Sequence, residues 1–408
     1  MKPGKRPFSF RERPVTAVTL GLIGLFGVFL LLNRFFYAPK LLLIGIILVV
    51  ALALRKMDLL VRDWFPFLAF LYLFDSLRGT IYALTCRLQL PVRALYVLDL
   101  ERALFGAVPS EVLQKSLLRT SPPDFGPVEK LATVIHGTHF VAFLYVGLVI
   151  WLQKPRFFSA YKSAFAWLTG VGVLGYLLIP TVPPWMASDV FGLLPGLEHF
   201  NVILYNTNFP DLSAGFNTNP IGAMPSLHAA FPFLAFLILL RLYRGRALVF
   251  GLYMLLMDFT IVYSSDHYLV DLGAGILLAS ACYVFVFRRA AGREARPAGR
   301  APWLPVAAGA GLLVLGVGLG LANKHAFESH PQDYDYATVP RYVDFTRNEA
   351  RYAESFAVQM YLGGHAIARG SSEKALAYFE RALALAPGRA ERKRAELRVA
   401  QCRALLKK

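Results

Sequence analysis

Residues 224–240 read MPSLHAAFPFLAFLILL, so a histidine, His228, stands at the start of a long apolar run. A second run, SSDHYLVDLGAGILLASACYVFVF at residues 264–287, also begins with a histidine, His267, and carries Asp271 four residues later. An apolar run of about 20 residues is long enough to cross a bilayer as a helix. Both stretches therefore predict membrane-spanning helices with ionisable side chains in or beside their first turns.

The composition of the whole chain also indicates a membrane protein. Of its 408 residues 56% are hydrophobic and the mean hydropathy is +0.48, whereas soluble domains are about 45–50% apolar. The net charge of +17 does not indicate a nucleic-acid partner, because Lys and Arg lie in short clusters between apolar runs. The predicted fold class is all-α: a polytopic transmembrane helical bundle with a small helical C-terminal repeat domain.

Nine apolar runs are candidate spans, at residues 15–33, 40–54, 64–85, 131–152, 163–180, 225–240, 247–264, 267–287 and 302–322. The first is longer than the apolar part of a signal peptide and no small-residue cleavage site follows it, so we expect a retained span. The predicted segments are N-terminal spans at 1–62, a central membrane domain at 63–290, a linker and last span at 291–323, and a tail at 324–408.

The loops differ in their content of Lys and Arg, which predicts the orientation in the membrane. Basic residues cluster in the N-terminus, in every second loop after it and between positions 288 and 300, whereas residues 181–223 contain none. Short cytoplasmic loops are rich in Lys and Arg. We therefore expect a multi-pass protein of the plasma (inner) membrane, with His228, His267 and the tail on the extracytoplasmic side.

His228, His267 and Asp271 have the residue types and spacing of a catalytic group. A helix start offers free N–H groups and a partial positive charge, which favour phosphate oxygens. His267 and Asp271 lie at i and i+4 on one helix face, where a carboxylate can orient an imidazole. Each residue alone has a structural explanation, but ionisable groups at the mouths of spans are costly unless they are used. No metal or other cofactor is expected, because the motif lacks a carboxylate cluster.

These residues resemble motifs of the type-2 phosphatidic acid phosphatase superfamily. PSLH at 225–228 is similar to its second motif, and His267-x-x-x-Asp271 is similar to its third. The resemblance implies that His267 is the nucleophile that takes up the phosphoryl group, that Asp271 orients it, and that His228 protonates the leaving oxygen. A phosphohistidine route of this kind replaces one difficult displacement by two easier ones.

Departures from that pattern indicate which branch of the superfamily the chain resembles. Leu227 replaces the glycine of the second motif, Ile261 stands where the third-motif arginine is expected, and the first motif is absent upstream. PTVPPW at 180–185, together with GAMPSLH and HYxxD, is similar to the inositol phosphorylceramide synthase branch, whose members transfer a phospho-inositol head group between lipids. Weaker similarity lies in DLERALFGAVP at 99–109 and HGTHF at 136–140.

The resemblance implies a lipid phosphotransferase acting on membrane phospholipids or sphingolipids. A phosphatase for a lipid phosphate or polyprenyl diphosphate is the alternative, with water in place of an acceptor hydroxyl. A transport or scaffold protein is a third reading, which would leave the histidines unused.

Other groups must meet the charge on the phosphoryl oxygens, because the motif arginines are missing. The predicted substrate-binding residues are Arg78, Trp185, Asn219, Gly222 and Ser226. Arg78 would supply positive charge, although a side chain that reaches to the membrane surface is the alternative. Trp185 would stack on a polyol head group, with an interfacial anchor as the alternative, and Gly222 would permit close backbone approach.

Residues 356–387 match the tetratricopeptide pattern, at Leu362, Gly363, Ala375, Phe379, Ala382 and Pro387. About three such repeats are needed to bury their apolar faces. The tail is therefore expected either to pack on the membrane domain or to bind a protein partner, and an ordinary helical hairpin is the alternative.

Overall fold

The structure is a computed structural model that describes residues 14–32, 38–120, 122, 124–208, 219–290 and 303–406. Nineteen α-helices account for most of it. They are α1 Pro14–Leu32, α2 Ala38–Ala53, α3 Met57–Asp63, α4 Phe65–Arg87, α5 Tyr96–Phe105, α6 Pro109–Leu117, α7 Pro127–Gly137, α8 His139–Gln153, α9 Pro155–Leu178, α10 Pro184–Asp189, α11 Phe200–Asn208, α12 Leu227–Tyr243, α13 Leu248–Tyr263, α14 Leu269–Ala290, α15 Trp303–Ser329, α16 Val343–Arg347, α17 Phe356–Ala368, α18 Ser372–Leu385 and α19 Arg389–Leu406. Two short strands, β1 Pro91–Val92 and β2 Arg341–Tyr342, pair in parallel.

The described residues of all nine predicted apolar runs lie mostly in helices, which confirms the all-α polytopic fold class. Among the described residues, four helical stretches are long and apolar enough to cross a membrane. The number is five if the helix pair Pro127–Gly137 and Val141–Gln153, bent by 49°, forms one span. The four are Met57–Arg87, Leu227–Tyr263, Leu269–Arg288 and Trp303–Ser329. The predicted count of nine exceeds this number for three reasons. The apolar parts of α1 and α2 are shorter, α9 carries basic residues in its first half, and the stretch Leu227–Tyr263 covers two of the predicted runs.

The stretch from Leu227 to Tyr263 contains two antiparallel helices. The chain turns at Arg244, whose φ is 54°, and Gly251 of α13 then lies against the ring of Phe236 in α12. The start of α12 and the end of α13 consequently lie at the same end of the bundle. His228 lies in the first turn of this hairpin, and His267 follows shortly after its end.

Small residues let the last span pack closely on α4. A Cβ at Gly309 would press on the ring of Phe65, and one at Gly316 would press on Leu73. Further along the same face, the Asn323 amide donates to the Ser76 main-chain oxygen at 2.8 Å. This seam joins α15 to the membrane domain and brings the following tail to the end of the bundle that carries the histidines.

The first part of the tail shares an apolar core with the membrane domain. Tyr334, Tyr342 and Phe345 are buried against residues of α5 and α10, and β2 pairs with β1. The predicted boundary at residue 324 therefore does not separate two packing units. Of the two predicted alternatives for the tail, packing on the membrane domain is observed.

The helices α17, α18 and α19 form a small unit with a core of its own. A Cβ at Gly363 would overlap the ring of Phe379, so the glycine lets α17 and α18 approach closely. Ala375, Phe379 and Ala382 are buried between the helices, as the sequence pattern predicts. The classification of this hairpin as a tetratricopeptide repeat remains a prediction.

Candidate active site

Two helix starts converge at one end of the bundle. The Ser226 main-chain N–H donates to the Asp271 main-chain oxygen at 3.0 Å, which joins the start of α12 to the start of α14. His228 Nδ1 and His267 Nε2 are 3.0 Å apart, within hydrogen-bond distance. The two histidines that the sequence places 39 positions apart therefore share one site.

The two ring nitrogens of His267 face different side chains. Its Nε2 faces His228, while its Nδ1 faces Asp271 Oδ2 at 3.6 Å. Asp271 is fully buried, and Oδ2 also accepts the Tyr268 main-chain N–H at 2.9 Å. The Nδ1 to Oδ2 distance is longer than a hydrogen bond. The carboxylate thus lies on the opposite side of the ring from His228.

The turn that precedes His228 packs closely against two glycines. A Cβ at Gly175 of α9 would overlap Pro225, and a Cβ at Gly275 of α14 would overlap the Ser226 main-chain oxygen. The turn is therefore packed between two helices with no space for larger residues. This fixes the direction in which His228 enters the site.

Two further histidines surround His228. The ring of His136 stacks on it with centroids 5.0 Å apart, and the ring of His139 lies at 4.2 Å. The HGTHF sequence is only a weak signal, because an i, i+3 histidine pair at a helix boundary does not indicate its partners. The structure brings both rings into the site.

Asp266, which the sequence analysis did not select, is a buried hub next to His267. Its Oδ1 lies 2.6 Å from His199 Nε2, its Oδ2 accepts from the Asn201 amide at 2.7 Å, and the Ser264 hydroxyl also donates to it. His136 Nε2 is 3.7 Å from Oδ2. Burial raises the pKa of Asp266, but the imidazoles of His199 and His136 outweigh burial and hold the pKa below its ordinary value.

Arg78 and Asn219 carry buried polar atoms that no group in the described residues satisfies. The Nε of Arg78 is buried without a hydrogen-bond partner, and the guanidinium is close enough to His228 for their charges to interact. Asn219 is 4% exposed, and both its amide nitrogen and its amide oxygen lack partners. Because such groups are costly to bury unpaired, both are suited to contact a bound ligand.

Gly222 and Ser226 lie on the same connection as Asn219. A Cβ at Gly222 would meet the Asn219 amide at 3.0 Å, so a larger residue would displace that side chain. The hydroxyl of Ser226 caps α12 by accepting the Ala229 N–H at 3.3 Å. This cap gives Ser226 a structural role, and its contact with substrate remains a prediction.

Trp185 is already in contact with two aromatic groups. Its ring stacks on His199 with centroids 4.9 Å apart, and Tyr336 of the tail lies edge-on to it at 5.9 Å. One face of the indole is therefore occupied by an imidazole that hydrogen-bonds Asp266. The predicted stacking on a polyol head group would require the remaining surface of the ring.

Comparison with known proteins assigns this region to a family. The family model of the PAP2 superfamily matches residues 96–285, which include all three predicted catalytic residues. Residues 96–285 are therefore similar to enzymes of the PAP2 superfamily. No solved structure matches the chain.

Three curated relatives place the domain in a branch of that superfamily. The chain is 28% identical over 200 residues to the inositol phosphorylceramide synthase catalytic subunit of Schizosaccharomyces pombe, covering 46% of this chain and 45% of that protein. It is 29% identical over 214 residues to phosphoinositol dihydroceramide synthase of Bacteroides thetaiotaomicron, covering 48% and 67%. It is 27% identical over 176 residues to inositol phosphorylceramide synthase of Candida albicans, covering 39% and 36%. The matched region is thus similar to proteins named as inositol phosphorylceramide or phosphoinositol dihydroceramide synthases.

Proposed function

We propose that this protein is a lipid phosphotransferase that moves a phospho-head group from a phosphodiester lipid to the hydroxyl of a second lipid. The observation that carries the proposal is the 3.0 Å approach of His228 Nδ1 to His267 Nε2, with Asp271 on the opposite side of the His267 ring. This arrangement provides a nucleophile, an acid and an orienting carboxylate at one point.

In the first half of the proposed reaction, His267 Nε2 attacks the phosphorus of the donor. The bond from phosphorus to the oxygen of the lipid alcohol breaks, and that oxygen takes a proton from His228. The head group stays on phosphorus, now bonded to His267. Asp271 stabilises the positive charge that develops on the imidazole.

In the second half, the hydroxyl of the acceptor lipid attacks the same phosphorus. His228 takes the hydroxyl proton, the bond from His267 to phosphorus breaks, and the enzyme returns to its starting state. Water would give hydrolysis by the same steps. The proposed difference between a transferase and a phosphatase is therefore which hydroxyl group reaches the phosphohistidine.

The charge of the site supports a phosphodiester as donor. A phosphomonoester carries nearly two negative charges, which calls for several cations, whereas the loop from Thr181 to Ala223 contains no Lys or Arg. A phosphodiester carries one charge, for which Arg78 and the unpaired amide of Asn219 provide partners. The names of the three relatives support a phospho-inositol head group and a ceramide-type acceptor.

The test is incubation of the purified protein with a phospholipid labelled in its head group, with and without an alcohol-bearing lipid such as ceramide. Transfer gives a new labelled phosphodiester lipid that requires the acceptor. Release of a water-soluble labelled phosphate compound in either case would instead indicate hydrolysis. Faster turnover of phosphatidic acid than of any phosphodiester lipid would contradict the transferase function.

We also propose that the site faces the extracytoplasmic surface. The support for this orientation is the absence of Lys and Arg from residues 181–223, in contrast to the basic loop at the α12–α13 turn. Substrates would then enter from the outer leaflet. The labelling experiment that tests this orientation is given in the Discussion.

A further inference from the structure

The short helix α5 lies between the tail and the catalytic residues. On the tail side, Arg351 binds Asp99 through two nitrogens, at 2.8 and 2.5 Å. Asp344 of the tail accepts the Leu95 main-chain N–H at 3.2 Å, next to the first residue of α5. The tail thus contacts this helix and the residue before it through the Arg351 guanidinium, the Asp344 carboxylate and the adjoining β1–β2 pair.

The opposite side of α5 contacts the start of α14. Glu101 is fully buried, and its Oε1 accepts the main-chain N–H of Val270 at 2.9 Å. Val270 is the second residue of α14 and directly precedes Asp271. The first N–H groups of a helix have no partner within it, and a carboxylate is the favoured acceptor for them. Here the carboxylate comes from a different helix, 169 positions away.

Burial in this position is energetically unfavourable for the Glu101 carboxyl group. Its second oxygen, Oε2, is buried without a hydrogen-bond partner in the described residues. Burial raises the pKa of Glu101, and the charge of Asp271 raises it further. The hydrogen bond from the Val270 N–H lowers it, and the resulting pKa is about 7. A buried carboxyl with an unsatisfied oxygen lowers stability, so packing alone does not account for it.

We propose that Glu101 is a positioning residue for the catalytic pair. Its hydrogen bond to the start of α14 fixes the position of the Asp271 side chain. Asp271 in turn orients the ring of His267. The Asp99–Arg351 contact holds α5 from the other side, so the tail contributes to the same alignment. This inference rests on the proposed function, because its test measures lipid turnover. It applies equally to transfer and to hydrolysis.

The test compares three variants at the same buried position. Glu101→Ala removes the acceptor for the Val270 N–H. Glu101→Gln keeps an oxygen that can accept this bond but removes the charge, and Glu101→Asp keeps the charge but shortens the side chain by one methylene. Glu111→Ala is the matched control, because Glu111 lies on the neighbouring helix α6 and forms an ion pair with the exposed Lys115.

We expect Glu101→Ala to lower kcat about 10- to 100-fold with little change in KM, because misplacement of a catalytic group by about 1 Å has an effect of that size. Glu101→Gln is expected to keep most of the activity, and Glu111→Ala all of it. A raised KM with unchanged kcat in Glu101→Ala, or equal loss in the Gln and Ala variants, would overturn the proposal.

Two comparisons distinguish an incorrect inference from a variant that does not fold and from an incorrect proposed function. The melting temperature of each variant in detergent shows whether it folds, and Glu101→Asp replaces Glu101→Ala if the alanine variant does not. The same loss of kcat is expected from the aspartate, whose carboxylate falls short of Val270. A wild-type protein with no lipid turnover of either kind refutes the proposed function, whereas an active wild type with an equally active Glu101→Ala refutes only the positioning role.

Discussion

Gly172 of α9 lies directly against Leu227, the first residue of α12: a Cβ at position 172 would come within 2.9 Å of Leu227 Cδ2. Leu227 stands where the related motif has glycine. The bulk that this departure introduces next to His228 is therefore accommodated by the absence of a side chain on the facing helix.

This contact predicts a compensating pair of substitutions. Gly172→Ala should push Leu227 and the adjoining His228 out of place and lower turnover about tenfold, since small displacements of catalytic groups are costly. Leu227→Ala in the same chain should restore most of the activity, because the two residues are in contact and their effects do not add. Lipid turnover of the two single variants and the double variant tests this, and a double variant no more active than Gly172→Ala would contradict it.

The proposed roles of the histidines predict different dependences on the donor. His267→Ala should abolish turnover of every donor, because no phosphorus–nitrogen bond can form. His228→Ala should lower turnover of natural lipids by about 10²- to 10⁴-fold, the usual contribution of a general acid, but should largely spare a donor with a nitrophenol leaving group, which needs no proton. Equal losses on both donors would show that His228 is not the acid.

Asp271→Asn should reduce turnover strongly while leaving the fold intact. An amide can still approach Nδ1 of His267, which lies 3.6 Å from the carboxylate, but it cannot stabilise the positive imidazole. Trapping of the labelled phosphoenzyme in a single turnover provides the measurement. Asp333→Asn, which alters an exposed carboxyl of the tail, is the control and should have no effect.

The buried hub at Asp266 predicts a loss of both stability and activity in Asp266→Asn. The amide keeps the shape of the side chain but cannot accept hydrogen bonds from His199, Asn201 and Ser264 together, so at least one buried donor loses its partner. We expect a melting temperature lower by a few degrees and about tenfold slower turnover. Unchanged values for both would mean that the hub does not support the neighbouring His267.

Glu101 also predicts a pH dependence of stability. Its pKa is about 7 in the folded protein and about 4.3 when unfolded, so the folded state binds more protons between these values. Stability from this group is complete below about pH 4.3 and is lost as the pH rises through 7. The melting temperature of the wild type should therefore fall between about pH 5 and pH 8 by a few degrees more than that of Glu101→Gln. Equal falls would refute this assignment.

The orientation of the protein predicts which positions an impermeant thiol reagent can reach in intact cells. Glu373, exposed at the start of α18, should be labelled from outside after substitution by cysteine, because the tail packs at the end of the bundle that carries the histidines. A cysteine at Gly245, exposed at the α12–α13 turn, should react only after permeabilisation. The native cysteines, Cys86, Cys282 and Cys402, are buried. The reverse pattern would place the site in the cytoplasm.

The sequence was sufficient to predict the helical fold and the central trio of residues. His267 and Asp271 lie four positions apart on one helix, and the PSLH turn marks the other helix start, so local spacing carries that information. Asp266 with His199 and Glu101 with Val270 were not predictable in the same way, because their partners are 67 and 169 positions distant. No periodicity indicates which loop residues meet after the helices pack. The span count depended on helix lengths near the limit of what crosses a bilayer.

The contact between Asp99 and Arg351 joins positions 252 apart, and every span from α7 to α15 is synthesised between them. A nascent chain cannot form this contact until the last span has left the ribosome and the tail has reached the side of the membrane on which α5 lies. Assembly of this end of the bundle is thus a late event of biogenesis, and a chain released early would retain its histidines without the tail that contacts α5. Premature termination, even beyond the last catalytic residue, should therefore leave an inserted but incompletely assembled enzyme.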